Sequence, residues 1–481
     1  MAINDWELVI GLEIHAQIAS ESKLFSSSSA RFSHEANVNV SFIDVAMPGM
    51  LPVLNRDCVK HAVRTGIALN AEINRYSVFA RKNYFYPDLP QGYQISQYEY
   101  PIIGKGKLEI EIADGIKKEV GVTRIHMEQD AGKSFHDQSP TETYVDLNRA
   151  GVGLMEIVTD PDMRSSKEAG EFMKKLRSIL RYVGACDGDM ENGSLRCDAN
   201  VSVRKKGSEA FGNRVEVKNL NSIKNVMRAI EFEKQRQVEL LESGEIVKQE
   251  TRLFDADTGA TRAMRDKENV QDYRYFSDPD LLPLILDENY VEHIRASLPE
   301  LPDQKRKRYV EDIGLSTYDA DVLSIDKEVA QYFEDTISFG ADPKAAANWI
   351  TGELFGRLNK HDLNILQCSI KPEEIAELLS LIKSEVISGK IAKHVFDVMF
   401  ATGKKPGAIV EDEGLTQVTD SSDIEAFIDQ VLKENKDKVA EYKAGKEKLL
   451  AFFIGQVMKV SKGRLNPNSL QTLLIEKLKK F

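Results

Sequence analysis

Short segments in which apolar and polar positions alternate dominate the first part of the chain. From residue 6 to residue 18 every second position is apolar, a period of two that is typical of a half-buried strand. Glu13 and His15 therefore share the other face of this strand. Residues 195–204 repeat the pattern, so that Asp198 lies on the face away from the core.

Two more short segments carry acids. In residues 124–130, His126 and Glu128 fall on one side together with Arg124 and Asp130, and Glu156 lies within the apolar segment 154–158. Carboxylates with an imidazole suit a hard divalent cation, and such a cation usually serves a phosphate. The pattern predicts a site for one or two Mg²⁺ ions held by Glu13, His15, Glu128, Glu156 and Asp198.

Each of these acids also has an alternative interpretation as an exposed charge, which is the normal state of Glu and Asp. The set favours the metal site, because chance would have to place acids on the same side of several strands. The sequence does not show whether these strands are neighbours in one sheet.

The order of strands and helices predicts an α+β fold. Up to about residue 290, strands follow each other with few helices between them, which favours antiparallel pairing. The exceptions are helices predicted at 59–69, 166–182 and 222–241. After proline-containing segments at 278–280 and 298–302 the pattern is helical, as at 373–382, 390–401 and 423–432. We predict a cradle domain at 1–292, a helical domain at 293–405 and a helical tail domain at 406–481.

Composition narrows the class of protein. With 42% hydrophobic and 29% charged residues in 481, the chain is typical of globular proteins. Its net charge of −12 argues against a uniformly basic nucleic-acid-binding surface, but not against a local basic patch. The sequence has no apolar run of membrane-spanning length and no secretion signal at its start, so we expect a cytoplasmic location.

Two further stretches are candidates for contact with nucleotides or nucleic acid. Residues 81–88 combine cations with three aromatic residues, which suits anion or base contact and equally suits an aromatic cover for a sheet edge. Near the C-terminus, Lys459, Lys462 and Arg464 border a Gly-Arg-Asn loop that can hold a phosphate backbone. The alternative is that these cations only complement a helix dipole.

Several near-contiguous segments, taken together, resemble one known family. They include Ile10-Gly11-Leu12-Glu13-Ile14-His15 and residues 81–88, 93–97, 130–133, 145–149, 193–202, 218–222, 249–252 and 272–276. With these segments the chain resembles the B subunit of the bacterial glutamyl/aspartyl-tRNA amidotransferase over essentially its whole length.

This resemblance implies a fold, a reaction and partners. The first domain is expected to be a cradle with a mainly antiparallel, glutamine-synthetase-like sheet, and the helical tail is expected to contact tRNA. ATP and Mg²⁺ are expected to phosphorylate the side-chain carboxylate of Glu-tRNA(Gln) or Asp-tRNA(Asn). Ammonia, released from glutamine by an amidase A subunit, reaches the acyl phosphate through a channel, and a small C subunit completes a heterotrimer.

The resemblance also implies site residues. The metal ligands of the family fall on the five positions that the strand pattern had already selected. Within the matching segments, the catalytic candidates are Glu128, Gln129 and Lys82, and the candidates for ATP or substrate binding are Tyr84, Ser194, Arg196 and Asn200. Lys459, Lys462 and Arg464 are the candidates for tRNA binding.

One departure from the family pattern is chemically significant. The family usually has a second Glu after Glu128, where this chain has Gln129, which forms hydrogen bonds but cannot act as a base. The alternation also sets Gln129 on the side opposite Glu128. Gln129 leaves open the alternative of a non-catalytic tRNA-binding scaffold descended from this family, although the five metal candidates argue against it. A free-standing ligase that uses ammonia directly is a third interpretation, against which the basic C-terminal loop argues.

Overall fold

The computed structural model describes residues 5–113, 115–264, 272–416, 421–443, 445–461, 465 and 467–480. The chain forms two compact units, Met1–Pro302 and Asp303–Phe481. The first contains mainly strands and the second contains helices, so the predicted α+β class is confirmed. The division into three domains stays a prediction. None of the helices among the described residues has the length and apolar composition needed to cross a membrane.

Among the described residues, the strands all lie in the first unit. In chain order, the strands among the described residues are β1 Trp6–Gln17, β2 Tyr76–Ser77, β3 Ala80–Asn83, β4 Tyr93–Ser96, β5 Gly106–Ala113, β6 Ile116–Gln129, β7 Lys133–Phe135, β8 Tyr144–Asp146, β9 Gly153–Thr159, β10 Leu195–Lys205, β11 Val215–Leu220, β12 Glu250–Asp255, β13 Ala260–Ala263, β14 Phe276–Ser277 and β15 Leu284–Ile285. The helices of this unit are α1 Arg56–Ala68, α2 Ser166–Tyr182, α3 Ile223–Glu242 and α4 Glu288–Ala296. Ser165 and Ser222 cap α2 and α3 by accepting hydrogen bonds from backbone N–H groups.

One large sheet organises the first unit. Its order is β13-β12-β11-β10-β1-β9-β6-β5, and every neighbouring pair is antiparallel except β11 and β12. A smaller sheet has the order β14-β3-β4, and β15-β2 and β7-β8 form pairs. The predicted antiparallel character of the sheet is therefore confirmed.

The sheet buries one face. Ile14 on β1 lies opposite Cys197 on β10 and Ile157 on β9, and all three are buried. They share one hydrophobic core with Phe172 of α2 and Ile230 of α3. Because side chains alternate along a strand, the residues next to Ile14 point to the other face of the sheet. That face carries Glu13 and His15.

The regular structure among the described residues of the second unit is helical. Its helices are α5 Pro302–Glu311, α6 Thr317–Ser324, α7 Lys327–Ser338, α8 Pro343–Asn348, α9 Phe355–Lys360, α10 Pro372–Lys383, α11 Gly389–Thr402, α12 Pro406–Asp412, α13 Ser421–Glu434, α14 Lys436–Lys443, α15 Leu449–Val460 and α16 Pro467–Lys480, with a π-helical turn at Trp349–Leu354 and a 3₁₀ turn at Ile365–Gln367. One hydrophobic cluster runs from Tyr309 to Val410 and another from Ile424 to Leu478.

We expect Phe172→Ala to lower the free energy of unfolding of the first unit by about 3–5 kcal/mol, because it leaves a cavity in a closed core. The chain has two tryptophans, Trp6 and Trp349. In a Trp349→Phe background, urea unfolding followed by Trp6 fluorescence reports on the first unit. Phe32→Ala is the control, because Phe32 is 83% exposed and its loss should change stability by less than about 0.5 kcal/mol. Equal losses for the two variants would contradict the assignment of the core.

Candidate metal and substrate site

Four neighbouring strands, β10, β1, β9 and β6, bring the acid-bearing positions together. His15 lies opposite Arg196 on one side and Glu156 on the other, and Glu156 lies opposite His126. Glu13 lies opposite Asp198 in the next row. Residues directly opposite each other in a sheet point to the same face, so the register places all six side chains on the face away from the core.

The imidazole of His15 lies among three carboxylates. Its Nε2 is 3.5 Å from Glu128 Oε1, 3.6 Å from Glu156 Oε2 and 3.9 Å from Glu13 Oε1. Glu128 and Glu156 are buried, so these charges are held largely away from water. The structure thus brings together four of the five predicted metal ligands.

His126 belongs to the same group, although the prediction from sequence did not include it among the ligands. Its Nε2 lies 2.9 Å from Glu156 Oε2 and 3.7 Å from Glu128 Oε2, and the residue is only 4% exposed. Its Nδ1 is buried, with no hydrogen-bond partner among the described residues. The alternation already placed His126 on the same side as Glu128, so the information needed to identify it was present in the sequence.

These residues form two triads that share one carboxylate. Glu13, His15 and Glu156 make the first, and His126, Glu128 and Glu156 make the second, with potential ligand atoms within 4.8 Å of one another in each. Carboxylate oxygens are the ligands that Mg²⁺ prefers, and imidazole joins them in sites for other divalent ions. The donor atoms of the two triads therefore fit a divalent cation.

Opposing effects set the charges in the triads. Burial lowers the pKa of both histidines, but the hydrogen bonds and charges of Glu156 and Glu128 outweigh burial and raise the pKa of His126 to about 9 and that of His15 above its ordinary value. Burial raises the pKa of Glu128 and Glu156, yet hydrogen bonds from the histidines bring both below their ordinary value. Glu13 differs, because burial and the charge of Glu156 raise its pKa.

Asp198 lies beside the triads, but its carboxylate is paired with the ammonium group of Lys218. Lys218 Nζ is 2.5 Å from Asp198 Oδ2 and 2.8 Å from Glu216 Oε1. The hydroxyl of Thr251 in turn donates to Glu216 at 2.8 Å. This chain of contacts runs across β12, β11 and β10 on the same face. Lys218 was not among the predicted site residues, because its position beside Asp198 depends on the pairing of β10 with β11.

Lys82 lies close to the triads, on the small sheet. Lys82 is on β3, and the neighbouring strand β4 contacts the end of β6. There Ser96 donates to Glu128 Oε2 at 3.3 Å and Gln94 donates to the carbonyl of Gln129 at 2.7 Å. Burial lowers the pKa of Lys82, but the charges of Glu128 and Glu156 outweigh burial and raise it, so the amine stays protonated. On the same stretch, burial raises the pKa of Tyr84 to about 12.

Gln129 follows Glu128 on β6 and lines a separate cavity. This cavity of about 130 Å³ is also lined by Asp44, Asp130 and Gly151. The placement agrees with the expected alternation, which turns Gln129 away from Glu128. A catalytic role for Gln129 stays a prediction.

The remaining predicted residues are spread more widely. Arg196 Nη2 contacts Asp130 Oδ2 at 2.8 Å, Asn200 lies opposite Gly11, and Ser194 accepts a backbone hydrogen bond from Gln17 through its carbonyl. Lys459 is exposed near the end of α15. Lys462 and Arg464 lie outside the described residues. Their roles in binding stay predictions.

Comparison with known proteins points to one family. Residues 8–292 match the family described as the GatB/GatE catalytic domain, and residues 331–478 match the one described as the GatB domain. The chain is 59% identical over 473 residues to the B subunit of the aspartyl/glutamyl-tRNA(Asn/Gln) amidotransferase of Rickettsia bellii, with 98% of each chain covered. The corresponding B subunits of Rickettsia canadensis and Rickettsia rickettsii are 58% identical over the same length.

We expect Glu156→Gln to weaken Mn²⁺ binding by at least about 10-fold, because the substitution removes the carboxylate that both triads share. Glu13→Gln affects one triad and should leave the other binding. Titration of the free ion by electron paramagnetic resonance measures both variants without any need for activity. Glu119→Gln is the control, because this exposed carboxylate pairs with Lys107 across β5 and β6, away from the triads. A Glu156→Gln protein with the affinity of the control would refute the metal site.

We expect Lys218→Met to tighten Mn²⁺ binding by about 3- to 30-fold, because it removes a positive charge from the acid face and frees Asp198. The same titration measures the effect. Lys107→Met removes an equal charge from an exposed pair and should leave the affinity unchanged. Unchanged or weaker binding by Lys218→Met would contradict the expectation that the charge of Lys218 opposes cation binding on this face.

Proposed function

Because the chain belongs to the family of aspartyl/glutamyl-tRNA(Asn/Gln) amidotransferase B subunits, we propose that it activates and amidates an amino-acid carboxylate carried on tRNA. The observation that carries this proposal is the pair of triads joined through Glu156, with the cationic Lys82 nearby. A scaffold that only binds tRNA has no need for such a buried group of acids.

The proposed reaction has two steps. A side-chain carboxylate oxygen of Glu-tRNA(Gln) or Asp-tRNA(Asn) attacks the γ-phosphorus of ATP, and ADP leaves with the electrons of the broken bond. Ammonia then attacks the carbonyl carbon of the acyl phosphate and phosphate departs, which gives Gln-tRNA(Gln) or Asn-tRNA(Asn). The first step is needed because a free carboxylate offers ammonia no adequate leaving group. Phosphoryl transfer of this kind requires positioning and charge neutralisation rather than a protein nucleophile.

The residues on the acid face have roles that follow from their positions. Glu13, His15, His126, Glu128 and Glu156 would hold Mg²⁺, with Asp198 at the margin of the group. The bound cation would offset the repulsion between two anions, the nucleotide and the carboxylate. Lys82 keeps its positive charge beside Glu128 and Glu156, so it is placed to bind the oxygens of a phosphoryl group that enters this site.

The proposal also includes a source of ammonia and two partner subunits. We expect an amidase A subunit to release ammonia from glutamine and pass it through a channel, and a small C subunit to join the two in a heterotrimer. Gln129 lines a cavity on β6 and is proposed to orient ammonia through its amide. An amide cannot take a proton from ammonium, so a group other than Gln129 must take that proton.

We expect phosphate release from ATP that depends on mischarged tRNA when the chain is assembled with its A and C partners and supplied with Glu-tRNA(Gln), Mg²⁺ and glutamine. His15→Ala should abolish this release while tRNA binding, measured by filter retention, stays unchanged, because His15 lies among the acids. His394→Ala, an exposed histidine of α11 paired with Glu413, is the matched control. Release that is absent in the unmodified complex, or unaffected by His15→Ala, would overturn the proposal.

A further inference from the structure

Five tyrosines form a continuous series of ring contacts beside the triads. Tyr84 touches Tyr86 at 6.0 Å and Tyr273 at 6.1 Å between ring centroids, both edge to face. Tyr273 touches Tyr275 at 6.1 Å, and Tyr275 stacks on Tyr98 at 4.5 Å with an angle of 10°. We call this series the tyrosine ladder. It joins residues of the β3 and β4 region to the segment that precedes β14.

The tyrosine ladder is accessible and is not part of the hydrophobic core. Tyr86 and Tyr98 are 52% and 55% exposed, and the other three rings are half-buried. None of the five belongs to the main hydrophobic cluster of the first unit. Aromatic rings dominate the energetics of binding surfaces, and a contiguous exposed group of them marks an interaction site more often than a single exposed ring does.

Hydrogen bonds from Asn83 hold part of the tyrosine ladder in place. The side chain of Asn83 donates to the carbonyls of Tyr273 and Arg274, and its backbone N–H also donates to Tyr273. Arg274 has a φ of 45°, a left-handed conformation that is uncommon for a residue other than glycine. These contacts fix the backbone between Tyr273 and Tyr275, whose rings touch each other.

The tyrosine ladder also adjoins the reacting centre. Lys82 Nζ lies 4.8 Å from the centroid of the Tyr273 ring, and its charge interacts with Glu128 and Glu156. Lys82 thus touches one ring of the tyrosine ladder and interacts electrostatically with the acids. A ligand stacked on these rings would have its phosphate or aminoacyl group close to Lys82 and the triads.

We propose that the tyrosine ladder is a stacking platform for a nucleobase whose attached phosphate or aminoacyl group reaches the triads. Every base has a π-face, and aromatic side chains bind unpaired bases by stacking without sequence preference. The inference rests on the proposed function for its two sources of such a base, which are the nucleotide substrate and the unpaired 3′ end of the tRNA. Both would present the same chemistry to the rings.

The test uses two fluorescent probes on the full chain assembled with its partners. One is a tRNA minihelix with 2-aminopurine as its unpaired terminal base, and the other is 2-aminopurine riboside triphosphate. The fluorescence of 2-aminopurine falls when the base stacks. We expect quenching in at least one arm, and Tyr98→Ala should weaken that binding by about 5- to 100-fold, as expected for the loss of one stacking ring. The arm that responds identifies the source of the base.

Two further variants keep the test specific. Tyr98→Phe retains the ring and should bind within about 2-fold of the unmodified chain, because stacking on Tyr275 does not need the hydroxyl. Tyr318→Ala removes a 72% exposed tyrosine of α6 in the second unit and should have no effect. Absence of quenching in both arms, or quenching that Tyr98→Ala leaves intact, would overturn the platform. Neither probe requires turnover, so this test is independent of the proposed reaction. If that reaction fails while the platform is correct, phosphate release will be absent and quenching will be preserved.

Discussion

The carboxylate of Glu156 is the group on which the rest of the candidate site depends. It lies opposite His15 on the neighbouring strand β1 and opposite His126 on the neighbouring strand β6, and it belongs to both triads. Burial of Glu156 would by itself favour the neutral acid, but hydrogen bonds from the two histidines outweigh burial and lower its pKa, so the carboxylate stays ionised. A buried carboxylate held in this way is a preformed site for positive charge.

The fold places Glu156 there by setting the register of three strands. Strand β9 pairs with β1 on one side and β6 on the other, and a register shift between Val122 and Arg124 precedes the row that contains His126 and Glu156. On the opposite face, Ile157 packs against the core and is fully buried. Slippage of β9 by one residue would expose Ile157 and bury Glu156 in the core, so hydrophobic burial on one face fixes the positions of the acids on the other.

The sequence predicted the parts of this arrangement that depend on local pattern. The strands of Glu13, His15 and Asp198 follow from a period of two, the strand of Glu156 follows from a short apolar segment, and α2 was predicted at the bounds it has. What the pattern could not give is which strands pair, because β1 contacts strands more than a hundred residues away. Lys218 beside Asp198 and Tyr275 beside Tyr98 depend on such pairings and were missed. His126 was a different kind of omission, since its side of the strand was predicted and only its role was overlooked.

Anomalous diffraction from crystals of the chain grown with Mn²⁺ would test the central claim most directly, because it locates the ion without reference to activity. We expect a peak on the open face of the sheet, about 2 Å from a carboxylate oxygen of Glu156, with further ligands from one or both triads. Peaks located elsewhere, with His15 and His126 still bound to Glu156 through their Nε2 atoms, would contradict a metal site built on this carboxylate.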